Sequence, residues 1–268
     1  MPAPIMTPHA LITGASAGIG ADLARLLARN GYGVVLVARS PERLEAVAVE
    51  LRATGAPVLA LSIDLSAPGA VASLHEQITK AGLDIEVLVN DAGFGMHGPF
   101  IELDPARQLE MIQVNVAALT ALTRRFAPDM VRRGHGRILN VASTAAFQPG
   151  PLMAVYCATK AYVLSFSEAI REELRGTGVS VTCVAPGATV TRFSEVADMA
   201  ETRLFRSHTM ASVAVAEAAY AAMQNGKALV VPGMRNRLLA MLTRLVPIGA
   251  TARVARRVLE DVPAAERR

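Results

Sequence analysis

The sequence predicts an α/β protein built on one doubly wound, seven-stranded parallel sheet, with the whole chain, 1–268, forming a single domain. Three observations carry that expectation. Short β-rich runs alternate with helical patterns from the first residues onward, as βαβ units require. Glycine recurs just past the helical stretches, at Gly31, Gly55, Gly82, Gly134, Gly178 and Gly226, where a left-handed cap ends a helix. The composition, 52% hydrophobic with no tryptophan and abundant alanine, leucine, valine and glycine, suits helices packed closely on a sheet.

Taken in order, the first strand is expected at 10–13 and its helix at 19–30. The valine-rich run 34–38 is the second strand, and Pro41 opens the helix 41–54, because proline is tolerated in a first helical turn. Strand 58–63 leads to a helix at 68–80, again opened by proline, and strand 87–90 to a long helix at 105–132 that starts the same way. Strand 137–142 is followed by helix 154–175, strand 179–184 by an irregular stretch, and helix 212–225 by the last strand, 228–231. Residues 186–210 break the rhythm, carrying Phe193, Met199, Leu204 and Phe205 among polar residues with no clear strand. Long irregular connections are usually functional, so a mobile lid over an apolar pocket is expected. A C-terminal helical extension, 234–268, follows, with basic, leucine- and valine-bearing segments at 234–245 and 251–259. Self-packing or subunit contact is their expected use, ahead of cover for the pocket or contact with a membrane surface.

The formal net charge of +4 rests on arginine; lysine occurs only at Lys80, Lys160 and Lys227. The pairs Arg124-Arg125, Arg132-Arg133, Arg256-Arg257 and Arg267-Arg268 are scattered and lack interleaved aromatics, which describes solvated helix faces rather than a nucleic-acid surface. Cys157 and Cys183 have neither metal spacing nor a disulfide pattern. With no secretory signal and no apolar run long enough to span a bilayer, a soluble, cytoplasmic protein without a metal is expected.

Two constellations carry chemistry. Thr13-Gly14-Ala15-Ser16-Ala17-Gly18-Ile19-Gly20 follows a strand and opens a helix, so its amides meet the positive end of a helix dipole, ready for phosphate. Tyr156 alone among the tyrosines has a lysine four residues on, Lys160, one helical turn away, and Ser143 lies thirteen residues before it. An ammonium beside a phenol lowers its pKa and makes it a usable proton donor. None of His9, His75, His97, His135 or His208 has the context of a triad base, and no glycine elbow surrounds Ser143, so a hydrolase is disfavoured.

With Asn90-Asp91-Ala92-Gly93, Asn115 and Pro186-Gly187 in order between and after these motifs, the chain resembles the short-chain dehydrogenase/reductase (SDR) family, of Rossmann fold, over essentially its whole length. The resemblance implies a nicotinamide dinucleotide cradled by Gly14, Ser16, Gly18, Ile19 and Gly20. In that family an acid after the second strand holds the ribose of NAD. Here Ala38 is followed by Arg39, with Arg43 one turn into the helix, and these guanidinium groups suit a 2′-phosphate, so NADP is expected over NAD. Asp64, with Leu65 beside it, corresponds to the acid that holds the adenine amino group, although an N-cap for the helix at Pro68 competes as an explanation. Asn90, Ala92 and Gly93 keep the family's pattern, while Asp91 replaces its second asparagine. Pro186, Gly187, Thr189 and Thr191 correspond to the segment that fixes the carboxamide, Thr189 standing where an aliphatic residue is usual.

The implied mechanism has Tyr156 protonating the substrate oxygen, Ser143 hydrogen-bonding it, Lys160 tuning the phenol and binding the nicotinamide ribose, and Asn115 supporting a water chain. Phe94, Met96, Phe100, Phe147, Leu152, Met153 and Phe193 surround the expected carbonyl position and favour a hydrophobic ketone or alcohol. The run Gly93-Phe94-Gly95-Met96-His97-Gly98 resembles the branch near 3-oxoacyl and hydroxysteroid reductases. Pairing of the helices 105–132 and 154–175 across a two-fold axis, as in that family, implies a homodimer or homotetramer. The alternative is a non-catalytic NADP-binding scaffold or redox sensor, which gains nothing obvious from a tuned phenol.

Overall fold

The computed structural model describes residues 7–207, 209–243 and 245–262, so His208 and the Arg267-Arg268 pair lie outside the described residues. From the N-terminus the chain runs β1 (His9–Thr13), α1 (Gly18–Arg29), β2 (Gly33–Ala38), α2 (Pro41–Arg52), β3 (Val58–Ser62), α3 (Ala70–Lys80), β4 (Ile85–Asn90), α4 (Pro105–Ile112), α5 (Leu119–Arg133) and β5 (Gly136–Val141). It continues through α6 (Ala154–Glu173), β6 (Val179–Val184), β7 (Thr189–Val190), α7 (Phe193–Val196), α8 (Arg203–Ser207), β8 (Met210–Ala211), α9 (Ser212–Gln224), β9 (Leu229–Val230), α10 (Met234–Leu242) and α11 (Ile248–Leu259).

Seven strands pair in parallel in the order β3-β2-β1-β4-β5-β6-β9. Every residue of β2 is buried, which follows from covering a parallel sheet on both faces. Leu23 and Leu27 of α1, Leu44 and Val47 of α2, and Val215, Ala219 and Met223 of α9 pack on one face. Leu74 and Ile78 of α3, Leu122, Phe126 and Met130 of α5, and Ile170 of α6 cover the other. This is the doubly wound Rossmann arrangement. β1 lies between β2 and β4, so the winding reverses there and opens a crevice at the strand C-termini.

Five local expectations are corrected. α3 starts at Ala70, behind a left-handed Gly69 at its N-cap, and not at Pro68. The long helix at 105–132 is divided by a π-helical segment, Gln113–Ala118, whose widened turn accommodates the inward side chain of Asn115. α6 stops at Glu173, and Gly178 caps nothing: a Cβ there would lie 1.8 Å from the Gly134 carbonyl oxygen, so backbone proximity requires the glycine. The last strand is two residues long, pairing only Leu229 with Cys183 and Val230 with Val184 at the sheet edge. The 186–210 stretch contains structure, since β7 and β8 pair in parallel (Thr189 with Met210, Val190 with Ala211) and close the segment onto itself. Two-residue strands carry no alternation for a sequence pattern to register.

Candidate active site

Everything implicated in chemistry gathers at the C-terminal edge of the sheet, around a cleft of about 410 Å³. Its floor on one side is the turn from β1 to α1. Gly14 and Gly18 take left-handed conformations (φ +72° and +57°), and a Cβ on Gly20 would lie 2.5 Å from the Gly14 carbonyl oxygen, so the loop folds back tightly on α1. α1 has no side-chain cap at Ala17 and no acidic residue in its first turn, which leaves its positive end available to an anion. Ser16 and Ile19 line the cleft with these glycines. Thr13, just before them, ties β1 to the loop after β4: its hydroxyl donates to the Val89 carbonyl at 3.2 Å and accepts from the Asp91 and Ala92 amides at 3.1 Å.

Asp91 departs from the pattern with consequences. Its carboxylate lies under the loop, 2.6 Å from where a Gly20 Cβ would be, and accepts a hydrogen bond from the Gly20 amide. Burial raises its pKa to about 7, with the Lys160 ammonium and the Gly20 amide opposing the rise. The neighbouring Asn90 is not part of the cleft surface. It is buried in the sheet, donating to Asn140 Oδ1 at 2.9 Å and Thr123 Oγ1 at 3.2 Å, and its own Oδ1 has no partner among the described residues. Asn90 therefore braces β4 against β5 and α5 from beneath, while Ala92 and Gly93 line the cleft.

At the β2 end, Arg39, Arg43, Asp64 and Leu65 all line the cleft. Arg39 pairs with Glu110 at 3.0 Å, which Arg107 also engages, and both guanidinium groups lie over the Phe94 ring, at 5.9 and 4.1 Å. Arg43 donates to Ser40 at 3.1 Å. Asp64 is not the N-cap of α3. It accepts from the Ser66 amide and hydroxyl at 2.9 and 2.7 Å; burial pushes its pKa up, but these bonds outweigh it and the net shift is downward.

Ser143, Tyr156 and Lys160 converge at the end of β5. Ser143 is extended, its Oγ accepting from the Ala145 amide at 3.1 Å and donating to the Pro186 carbonyl at 3.4 Å, which fixes the hydroxyl at the start of a 3₁₀ turn. α6 carries Tyr156 and Lys160 inward, both buried. Leu152, just before it, holds a left-handed φ of +69°, backbone strain of the kind found at ligand sites. Lys160 Nζ donates to the Val141 carbonyl at 2.7 Å and stands 5.8 Å from the Tyr156 ring centre. Burial lowers the Lys160 pKa to about 8, with Asp91 pulling it back up.

The expected lowering of the phenol by Lys160 is not what this geometry gives. Burial drives the Tyr156 pKa well above the ordinary value; a hydrogen bond with Ser143 opposes the rise, while Cys157 and Asp91 add to it. The ammonium is directed at a strand carbonyl rather than at the phenol oxygen. Asn115, in the π turn, accepts from the Phe94 amide at 3.1 Å and donates to the Phe94 carbonyl at 3.0 Å and the Thr159 hydroxyl at 3.1 Å. It locks the cleft wall to α6, and its amide stands so close that a Cβ on Gly93 would meet Oδ1 at 2.9 Å.

The segment after β6 supplies Pro186, Gly187, Thr189 and Thr191 to the cleft, with Thr191 Cγ2 2.8 Å from where a Gly18 Cβ would be. Thr191 Oγ1 accepts from the Phe193 amide at 3.1 Å and Thr189 Oγ1 donates to the Gly187 carbonyl at 2.9 Å. Phe193 tilts over Tyr156 with ring centres 5.1 Å apart. Of the expected apolar lining, Phe94, Met153 and Phe193 face the cleft, and Met96 and Leu152 pack beside them. Phe100 is exposed, and Phe147 packs against the cluster of Leu119, Ala142 and Val163 and does not line the cleft. Residues that spacing alone did not mark complete the wall: Cys157, and Ala255, Val258 and Leu259 from α11.

Comparison with known proteins agrees with this geometry. A sequence profile described as short chain dehydrogenase matches residues 8–202. A ketoacyl reductase, HetN, of Nostoc sp. is 36% identical over 177 residues, 66% of this chain and 62% of that protein, so the match spans under two thirds of the relative's length. An NADP-dependent 3-hydroxy acid dehydrogenase, YdfG, of Salmonella typhi is 38% identical over 193 residues, covering 69% of this chain and 75% of that one. A short-chain dehydrogenase from Sphingobium yanoikuyae, solved in complex with NADPH, superposes with a TM-score of 0.80 at 34% identity, over 89% of this chain and 93% of its own.

Proposed function

The chain belongs to the short-chain dehydrogenase family, an enzyme family acting on CH–OH and carbonyl groups, and from that premise we propose that it is an NADP-dependent oxidoreductase of hydrophobic ketones and secondary alcohols. One observation carries the reading: Ser143, Tyr156 and Lys160 share a single cleft with the glycine loop at the start of α1. The residues fit a dinucleotide. The uncapped α1 terminus and the left-handed Gly14 and Gly18 suit a pyrophosphate, Asp64 and Leu65 the adenine, and Pro186, Gly187, Thr189 and Thr191 the carboxamide. Arg39, Arg43 and Ser16 line the same cleft where an extra phosphate needs cations and a hydroxyl, which supports NADP over NAD.

Bound there, the dinucleotide supplies or accepts the hydride. Tyr156 delivers its phenolic proton to the substrate oxygen, and in the reverse direction recovers it. Ser143 donates to the same oxygen and stabilises the negative charge that develops on it. Lys160 contributes positive charge beneath the phenol and a donor for a ribose hydroxyl. Asn115 keeps the wall between Phe94 and Thr159 rigid and, by resemblance to the family, supports the water chain that returns protons. Phe94, Met153, Phe193 and Met199 give the substrate end an apolar surface, the basis for a hydrophobic substrate.

Leu109 and Ile112 of α4 and Tyr162 of α6 are exposed on the helices expected to pair, which supports a homodimer or homotetramer. Two buried, unpaired thiols, Cys157 and Cys183, support a reducing cytoplasmic setting. The decisive experiment is Tyr156→Phe, which keeps the ring against Phe193 and removes only the hydroxyl. Reduction of a hydrophobic ketone panel with NADPH should fall roughly 10²- to 10⁴-fold while NADPH still binds. Turnover equal to wild type would refute the catalytic assignment and leave the scaffold alternative.

A further inference from the structure

The last two helices form a surface that the catalytic reading does not use. Between Glu217 and Glu260 the sequence has no acidic residue, while the stretch 234–259 holds six arginines: Arg235, Arg237, Arg244, Arg253, Arg256 and Arg257. Arg244 lies outside the described residues. On α10 the side that meets the body is marked by buried Ala240 and half-buried Asn236, one turn apart, with Asn236 donating to the Pro232 carbonyl at 2.9 Å. Helical periodicity then puts Met234, Leu238 and Met241 on the opposite side, and they are 90%, 58% and 60% exposed. Arg235 and Arg237 fall on the two flanks of that ridge. The following turn continues it with Leu245 and Ile248, 82% and 75% exposed. On α11, Thr251, Ala255 and Leu259 are buried, so Arg253 and Arg257 face outward.

An apolar ridge pointing into solvent and flanked by cations, of which Arg256 alone is shown paired among the described residues, with Glu260 at 3.3 Å at the end of α11, is the inverse of a soluble helix, whose apolar stripe faces the core. It is the pattern of a helix lying in a bilayer interface. We infer that α10, the turn after it and the outer face of α11 dock on the headgroup layer of an anionic phospholipid membrane. Charge complementarity selects this occupant over a second copy of the chain, because a two-fold contact through the same patch would set these arginines against their own counterparts. No described helix is long and apolar enough to cross a membrane, so the contact is peripheral. Ala255, Val258 and Leu259 of α11 also line the cleft, so docking brings the wall of the apolar pocket to the lipid surface.

The test is co-sedimentation of the full-length protein with phosphatidylglycerol–phosphatidylcholine vesicles and with vesicles of phosphatidylcholine alone. Wild type should pellet with the anionic vesicles and be released by salt. Arg235→Gln and Arg237→Gln should each weaken partitioning roughly fivefold, from about 1 kcal/mol per surface cation. Leu238→Ser combined with Leu245→Ser should weaken it further without changing the melting temperature. Wild type that stays in the supernatant with both vesicle types, or pellets equally with both, overturns the proposal. A solution mass that drops in the Leu238→Ser, Leu245→Ser variant, without vesicle binding by wild type, would assign the ridge to a second copy and overturn it equally.

Discussion

Replacing Asp91 with asparagine tests the electrostatics of the cleft floor most directly. The amide keeps the shape and the acceptor for the Gly20 N–H but removes the ionisation. In the unfolded chain the carboxyl has its ordinary value of 3.8, whereas burial in the fold raises it to about 7. Below the lower value both states hold the proton and Asp91 makes no pH-dependent difference. As pH rises toward 7 the unfolded chain ionises first, so stability present at low pH is progressively lost, and the loss is complete once the folded carboxyl ionises. At 1.36 kcal/mol per unit the ceiling is roughly 4 kcal/mol. Part of it is returned, because a neutral amide no longer supports the Lys160 ammonium, whose value should fall below its present 8 or so. A net gain of about 2 kcal/mol above neutrality is expected, a rise of several degrees in melting temperature for a chain this long. With no tryptophan in the chain, melting is best followed by circular dichroism across pH 4.5 to 8. The variant and wild type should lie closest at the acid end and separate further as pH rises. A difference independent of pH, or a variant that is less stable at pH 8, would refute the argument.

Two further outcomes follow from the same geometry. Arg39→Asp should cut kcat/KM for NADPH roughly ten- to hundredfold, the worth of one or two charge-assisted bonds, and raise the relative rate with NADH; unchanged selectivity would remove Arg39 from the phosphate site. Gly20→Ala forces a methyl to within 2.5 Å of the Gly14 carbonyl oxygen and 2.6 Å of the Asp91 carboxylate, so it should lower stability by about 1–3 kcal/mol and raise the KM for cofactor, and a wild-type melting curve with wild-type KM would contradict the loop geometry.

The architecture was legible because its signals are periodic. Valine-rich runs bounded by glycine and proline located all seven sheet strands within a few residues, and the glycine loop stood where a strand meets a helix. Local spacing also located Ser143, Tyr156 and Lys160 in one cleft. What it missed depends on contacts across the fold. Asn90 reads as a cofactor ligand by its neighbours in sequence, yet Asn140 and Thr123, distant in the chain, hold it beneath the surface. For Asp64, which resembles the adenine-binding acid, the competing reading as a helix cap is removed because Gly69 places the start of α3 beyond its reach. The π turn at Asn115 leaves no mark on hydrophobic periodicity, because one widened turn shifts the pattern by a single residue. α11 joins the cleft wall, a use that its sequence allowed but ranked behind self-packing or subunit contact, because an apolar helix face does not say which surface it will meet.

The pairing of Tyr156 with Lys160 has a different physical meaning from the one spacing suggests. Burial dominates both groups and favours the neutral form of each: the phenol holds its proton more tightly, and the amine holds its own less tightly. A phenol in that condition is the weaker acid and keeps its proton until an oxygen with developing negative charge reaches it. Lys160, at about 8, is mostly cationic at neutral pH, and negative charge in the cleft holds it so, the direction in which Asp91 already pulls. The ammonium is therefore a standing positive charge, held 5.8 Å from the ring by the Val141 carbonyl. Asp91, standing where the family pattern has a neutral amide, links that charge to the phosphate loop, since the same carboxylate accepts from Gly20 and supports Lys160.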